Sequence, residues 1–307
     1  FMFFSFLVGL RYTSPNAVVA TSPQPLTGVS AWLLARIKGA KFVFEIRDLW
    51  PESILAVSNF DNRVVIWLLD QTVTFLYRRA DTIVVVSQAF IEPIMETGID
   101  QSKIEYYPNG IDLEFYNISG SRSEVFDEFD NRLTVAYVGT IGRAHGLSVV
   151  LDAAPDVPNV QFIIVGDGAE REDLEQRAVD YDNVAFTGRR SKDEVPYILA
   201  EVDIALVHLK PREIFETVIP SKLLEAMAAG LPVILGVRGE AQRILDEADA
   251  GVTMEPGNAA ELVAAVDTLR QEEAREKFGD NGRDYVAEEF NWNNIATEYR
   301  VLLERAS

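Results

Sequence analysis

Apolar residues in this chain fall into short, near-continuous runs, and these alternate with stretches of helical spacing from end to end. FVFEI, TIVVV, LTVAYV, VQFIIV and IALVHL are short, β-branched and apolar at successive positions. A strand reads that way when helices cover both faces of its sheet. The pattern predicts a helix leading into a strand at 16–22, a helix at 29–39, a strand ending in RDLWPES and a long helix at 62–79. A strand at 82–88, a further helix and the strand and turn of KIEYYPNGID follow. Alternation of this kind builds a parallel sheet.

The polar stretch 119–132 reads as a linker, and a second alternating set runs from LTVAYVGT to the helix AAELVAAVDTLRQ. The remaining tail reads as helical, with an aromatic break at 290–292. The expectation is an α/β chain of two doubly wound, Rossmann-like parallel sheets with a cleft between them.

Residues 202–236 organise the second set, reading as strand, long loop, short helix, strand. Pro220 and Ser221 suit a helix start, Gly230 a helix end, and Pro232 bars continuation. A helix N-terminus at the carboxyl end of a buried parallel strand is where open α/β sheets receive anions. Glu225, one turn into that helix, is within reach of hydroxyls on a phosphate-bearing ligand; an ordinary solvated glutamate remains the alternative. Three glycine-bearing loops, GTIGRAHG (139–146), GDG (166–168) and TGRR (187–190), each follow a strand. Any one of them can be a purely steric turn, and GDG reads best that way. Together with the helix start they place Arg143, His145, Arg189 and Lys222 at carboxyl strand ends of one sheet, which suggests an anionic ligand such as a diphosphate. No Walker sequence or nicotinamide-type GxGxxG is present, and no DxD-like carboxylate pair falls at the site.

Composition narrows the classes. With no cysteine among 307 residues, disulfides, thiolate catalysis and zinc–thiolate sites are excluded, and two histidines leave little room for a histidine-rich metal site. No apolar run approaches the roughly 20 residues of a membrane span, and FMFFSFLVGL lacks the flanks of a signal peptide. The net charge of −20 is uneven: residues 1–110 carry 9 basic and 10 acidic side chains, residues 111–307 carry 19 and 38. Nucleic acid does not suit such a surface. Only 7 of 28 basic residues are lysine, and an acidic, lysine-poor surface resembles that of proteins from salt-loving cytoplasm. An ordinary acidic cytosolic protein is the alternative.

The order VGTIGRAHGL, IIVGDG, FTGR, PSKLLEAMAAGLPVI is similar to the nucleotide-sugar half of retaining family 4 glycosyltransferases of the GT-B fold. RDLWPES, VVVSQAF and YYPNGID resemble the acceptor half, and the branch most resembled transfers N-acetylated amino sugars such as fucosamine or glucosamine types. The resemblance implies a partial acceptor domain at 1–118, a donor domain at 119–285 and a C-terminal helix at 286–307 crossing back to the first. Relatives begin with a strand and glycine-bearing loop that this chain does not match, so the first sheet is expected to be incomplete by two or three βα elements.

Carried over by position, Glu225 matches the glutamate that binds the nucleotide ribose, and Thr217 falls where a second, sugar-binding glutamate is usual. Glu216 and Glu213 lie off that register. The family's phosphate-binding Arg and Lys fall at Thr140 and His145, and Arg143 can supply charge from the same loop. Arg47 sits where many relatives have histidine at the donor sugar, followed by Asp48, which reads equally as a turn carboxylate. The resemblance thus implies Arg47, Asp48, Arg143 and Lys222 as catalytic residues. It implies Gly139, Thr140, Gly142, His145, Gly168, Arg189, Thr217, Ser221, Leu223 and Glu225 as donor-binding. Trp50 and Pro51 read as structural, and Asn109-Gly110 as a hinge or an ordinary turn.

The implied reaction needs no metal and no cofactor beyond the nucleotide sugar itself. Negative charge grows on the departing diphosphate, and fixed cations and helix N–H dipoles stabilise it without reorganising. The expected acceptor is a glycan or lipid-linked sugar in surface polysaccharide or glycoprotein glycan synthesis, with peripheral membrane contact through the first domain near Trp67, Arg78 and Arg79. A catalytically silent nucleotide-sugar-binding subunit is the alternative from another class, and a UDP-sugar 2-epimerase of the same fold is a third. The RDLWPES and NGID context argues against the epimerase.

Overall fold

The computed structural model describes residues 2–11, 15–22, 24–57, 62–118 and 132–305. The chain forms two compact units, 1–110 with 292–307, and 111–291. The division therefore falls at Gly110/Ile111 and Asn291/Trp292, not at 118/119 and 285/286. The reason is local: Ile111 bridges Asn291 and donates its N–H to Phe290, while Tyr116 is buried in the core of the second unit. The expected linker at 119–132 lies, but for Arg132, outside the described residues.

In the first unit, β1 (Ala17–Thr21), β2 (Lys41–Ile46), β3 (Thr82–Val85) and β4 (Ile104–Tyr106) form a parallel sheet in that order. Around it run α1 (Met2–Gly9), α2 (Pro25–Lys38), α3 (Glu52–Val57), α4 (Arg63–Arg79) and α5 (Ile91–Glu96). Helix α2 starts earlier than its periodicity suggests, because Pro25 needs no N–H partner in a first turn. It stops at Gly39, whose φ of 68° lets its N–H return to Ala35. Asn62 caps α4 by accepting from the N–H groups of Val64 and Val65. The last helix, α14 (Trp292–Arg305), belongs to this unit: the Tyr299 ring packs edge-on against Tyr107, with centroids 5.3 Å apart.

The second unit begins with the short helix α6 (Leu113–Tyr116) and holds six parallel strands. These are β5 (Leu133–Val138), β6 (Val160–Val165), β7 (Val184–Gly188), β8 (Ile204–His208), β9 (Val233–Gly236) and β10 (Gly251–Thr253), in the order β10-β9-β8-β5-β6-β7. Helices α7 (Ser148–Ala153), α8 (Arg171–Arg177) and α12 (Ala259–Thr268) contribute to the core on one face. Helices α9 (Val195–Leu199), α10 (Ser221–Ala228), α11 (Glu240–Ala248) and α13 (Glu272–Glu289) contribute to the core on the other. With both faces covered, every residue of β6 is buried, which is why its sequence does not alternate. Helix α11 was not among the predicted elements, although Ala241, Ile244, Leu245 and Ala248 are buried at helical spacing. No described helix is long and apolar enough to cross a membrane.

Candidate active site

Strands β5 and β8 are neighbours, and the chain winds outward from them in opposite directions, β5 to β7 and β8 to β10. Their helices therefore diverge, and the carboxyl ends of β5 and β8 border the crevice where such sheets bind ligands. The loop 139–146 leaves β5 there, and α10 begins beyond β8. The loops after β5 and β6 lie backbone against backbone: a Cβ on Gly166 would sit 1.8 Å from the Gly139 carbonyl oxygen, and one on Gly168 2.3 Å from that of Ile141. The GDG glycines are thus required by packing, and Gly168 serves the loop–loop contact.

Lys222 is the centre of the site. Its Nζ donates to the Tyr137 hydroxyl at 2.6 Å, and that hydroxyl donates to the Thr140 carbonyl at 2.7 Å. The ammonium is 4.3 Å from the Tyr137 ring centroid, and a Cβ on Gly139 would come within 3.0 Å of it. Among the described residues it has no further hydrogen-bond partner, which leaves two of its three protons unused. Burial lowers the Lys222 pKa to about 8, with Glu225 opposing the shift. Burial also pushes the Tyr137 phenol well above its ordinary value.

His145 does not supply the second cation expected of it. Its ring lies edge-on to Tyr137, and Nδ1 donates to the Gly142 carbonyl at 3.3 Å. Burial, then the neighbouring Lys222, lower its pKa to about 4, so the imidazole is neutral near pH 7. Thr140 is exposed and contributes its carbonyl to Tyr137. Arg143 is exposed on the same loop, with no ion pair among the described residues.

Glu225 is half-buried one turn after Lys222, with hydrogen bonds from Ser221 and Tyr116. Burial raises its pKa, and those two hydroxyls with Lys222 and Lys192 oppose the rise. Burial and the Glu225 charge together push the Tyr116 phenol upward. Glu225 is therefore an oriented carboxylate and not the solvated one of the alternative reading. Ser221 is the first residue of α10 and not its cap, since Pro220 with ψ 128° occupies that position. The Leu223 side chain is fully buried in the core and its N–H bonds Pro220, so its share in the site is structural.

Beside these residues a cavity of about 380 Å³ is lined by Gly139, Thr140, Gly166, Asp167, Arg189 and Arg190, among others. Arg189 is exposed at its rim. Arg190, which the sequence does not single out from its neighbour, is half-buried, with its Nε unpartnered among the described residues. The Thr187 hydroxyl behind it is likewise unpartnered. Thr217 closes a 3-10 turn at Glu213–Thr217 and donates its hydroxyl to Ile214 at 2.8 Å. In the first unit, Arg47 and Asp48 follow β2, both donating their N–H to the Ser22 hydroxyl, at 2.8 and 3.2 Å. Arg47 pairs with Glu45 at 3.3 Å, and burial raises the Asp48 pKa against the pull of Arg47. Among the described residues no group of three or more His, Asp or Glu is placed to hold a metal ion.

Comparison with known proteins decides the family. The family described as Glycosyl transferases group 1 matches residues 121–285, and Glycosyl transferase 4-like domain matches 3–110. The chain belongs to the group 1 glycosyl transferases. An uncharacterized glycosyltransferase of Methanocaldococcus jannaschii is 24% identical over 257 residues, covering 81% of this chain and 64% of that protein. The sulfoquinovosyl transferase SQD2 of Arabidopsis thaliana is 28% identical over 237 residues, covering 74% of this chain and 45% of its own. The chain thus spans less than two thirds of the length of these two relatives. HepE of Anabaena, solved in complex with UDP, superposes with a TM-score of 0.81 at 18% identity, over 99% of this chain and 82% of its own. That likeness establishes the GT-B fold.

Proposed function

We propose that this chain carries out metal-independent glycosyl transfer with retention at the anomeric carbon. It takes an N-acetylated amino sugar from a UDP-sugar and passes it to a glycan or lipid-linked acceptor. The observation that carries this reading is the placement of Lys222, a half-buried ammonium at the start of α10 with two unused protons, beside Gly139 and one turn from Glu225. A nucleoside diphosphate fits that pair: phosphate oxygens at Lys222 and the helix start, ribose hydroxyls at the Glu225 carboxylate, which Tyr116 and Ser221 orient. HepE, of the same fold, holds UDP. The amino-sugar donor rests on the resemblance carried by the combined motif order of both halves.

As the bond from the anomeric carbon to the diphosphate breaks, its electron pair stays on the phosphate oxygen, where a preorganised ammonium lowers the barrier by several kcal/mol. The acceptor hydroxyl forms the new bond, and its proton leaves with the phosphate. Arg47 and Asp48 are assigned to the donor sugar and acceptor, and Arg143 and Arg189 to the diphosphate. The protein works at the cytoplasmic face of a membrane in a high-salt cell. Exposed Phe3, Phe4, Trp67 and Leu68, with Arg78, support that site of action. A second reading, a nucleotide-sugar-binding subunit without turnover, is favoured by Thr217, whose hydroxyl is occupied by its own turn.

Release of UDP from UDP-N-acetylglucosamine in the presence of glycan and lipid-linked acceptors tests the proposal. Turnover persists in EDTA and the product keeps the donor's anomeric configuration. Loss of turnover restored only by magnesium or manganese overturns metal independence, and binding without release under any acceptor selects the second reading.

A further inference from the structure

His208, the last residue of β8, is 1% exposed and makes two hydrogen bonds to backbone groups far apart in sequence. Its Nδ1 lies 2.6 Å from the His145 carbonyl oxygen, which can only accept, so Nδ1 carries the proton. Its Nε2 lies 2.8 Å from the Gly257 N–H, which can only donate, so Nε2 is bare. The two partners together select one neutral tautomer. The ring fills a slot that two glycines leave open: a Cβ on Gly236 would stand 2.3 Å from its Cδ2, and one on Gly146, at φ 60°, 3.3 Å from its Cε1. A second link runs beside it, from the Lys210 N–H to the Ala144 carbonyl at 2.8 Å.

We propose that His208 is a positioning residue for the diphosphate site, tying the loop 139–146 to the turn at 255–258. The inference rests on the reading that this loop receives the diphosphate. The tie acts on the peptide of His145, whose ring packs against Tyr137, the residue that holds the Lys222 ammonium. With the carbonyl of 145 fixed, the loop keeps the Thr140 carbonyl on the Tyr137 hydroxyl and the mouth beside Gly139 open. A ring that only filled space would serve as well with any polar edge. A ring that positions the loop depends on the Nδ1–H donor.

Two substitutions separate the bonds. In His208→Asn the side-chain amide N–H stands where Nδ1 stood and still donates to residue 145, while the acceptor for Gly257 is lost. In His208→Gln the side-chain carbonyl stands where Nε2 stood and still accepts from Gly257, while the donor to residue 145 is lost. Both variants leave one backbone group unpaired, so both lower the melting temperature to a similar extent. Hydrogen exchange at 142–146 in the free protein rises at least tenfold in His208→Gln and stays near wild type in His208→Asn. UDP affinity, by calorimetry, falls at least tenfold in the Gln variant and less than threefold in the Asn variant. Equal exchange in the two variants, or unchanged UDP affinity in His208→Gln, overturns the inference. Differential exchange between the two variants, with a wild type that binds neither UDP nor GDP, keeps the tie and removes instead the assignment of the loop to a diphosphate.

Discussion

A basic cavity of the first unit and the proposed active site treat cations in opposite ways. The cavity, about 800 Å³ in the first unit, is lined by Arg36, Lys41, Arg78, Arg79 and Lys103. Arg36 and Arg78–Arg79 lie in the last turns of α2 and α4, where exposed carbonyls favour positive charge. Lys103 caps α4 directly, donating to the carbonyls of Tyr77 and Arg78, and Lys41 pairs with Asp81. Arg79 lies over the rings of Trp32 and Phe75. Contacts within the fold thus engage Lys41, Arg79 and Lys103. Lys222 sits instead in the first turn of α10, where the helix dipole opposes a cation, and burial lowers its pKa to about 8. A count of positive residues points to the cavity. A charge held against both solvation and the dipole points to α10, and perturbation of that kind marks function.

The largest effect expected from this contrast is in Lys222→Met. Loss of charge-assisted hydrogen bonds worth roughly 1.5–3 kcal/mol each weakens UDP binding by about 100-fold. The melting temperature holds or rises, since a desolvated charge is removed. Arg78→Met, in the cavity, leaves UDP affinity unchanged. The pH profile sharpens the comparison. Only the ammonium binds phosphate, so wild-type affinity is level below about pH 8 and falls above it as Lys222 deprotonates. Lys222→Arg, charged throughout, removes that fall. Calorimetry with both variants and the wild type decides the point, and equal binding by Lys222→Met removes the site from α10.

Glu225→Gln comes next. Its carboxylate is already oriented by Tyr116 and Ser221, and an amide forfeits part of each charged hydrogen bond to the ribose, so UDP affinity falls at least tenfold. The fold survives, as a thermal melt will show. Unchanged affinity means the ribose lies elsewhere.

The smallest effect separates the two units electrostatically. The residues after 110 carry 19 basic and 38 acidic side chains, against near balance before them. Screening of self-repulsion raises the melting temperature by a few degrees between low and molar potassium chloride. A flat or falling curve contradicts the high-salt reading.

How much of this was legible in the chain depends on the range of the interaction. The strand runs were legible because burial on both faces leaves one signature, an unbroken apolar string, and β6 and β8 are buried at every position. The ends of α10 followed from Pro220, Gly230 and Pro232, whose effect is confined to neighbouring dihedrals. The motif order carried the family.

Tertiary structure alone decided the electrostatic roles. Tyr137 reads as a core aromatic in LTVAYV, and only the pairing of β5 with β8 brings its hydroxyl to Lys222, 85 positions along the chain. Tyr116 meets Glu225 through the packing of α6 on α10, and His208 meets residues 145 and 257 from loops distant in sequence. His145 was expected to carry charge because sequence spacing reports position along the chain and not solvation; burial beside Lys222 makes it neutral. The sequence determines which groups reach the crevice, through local dihedrals and apolar periodicity. Their protonation and orientation depend on neighbours that only the folded sheet assembles.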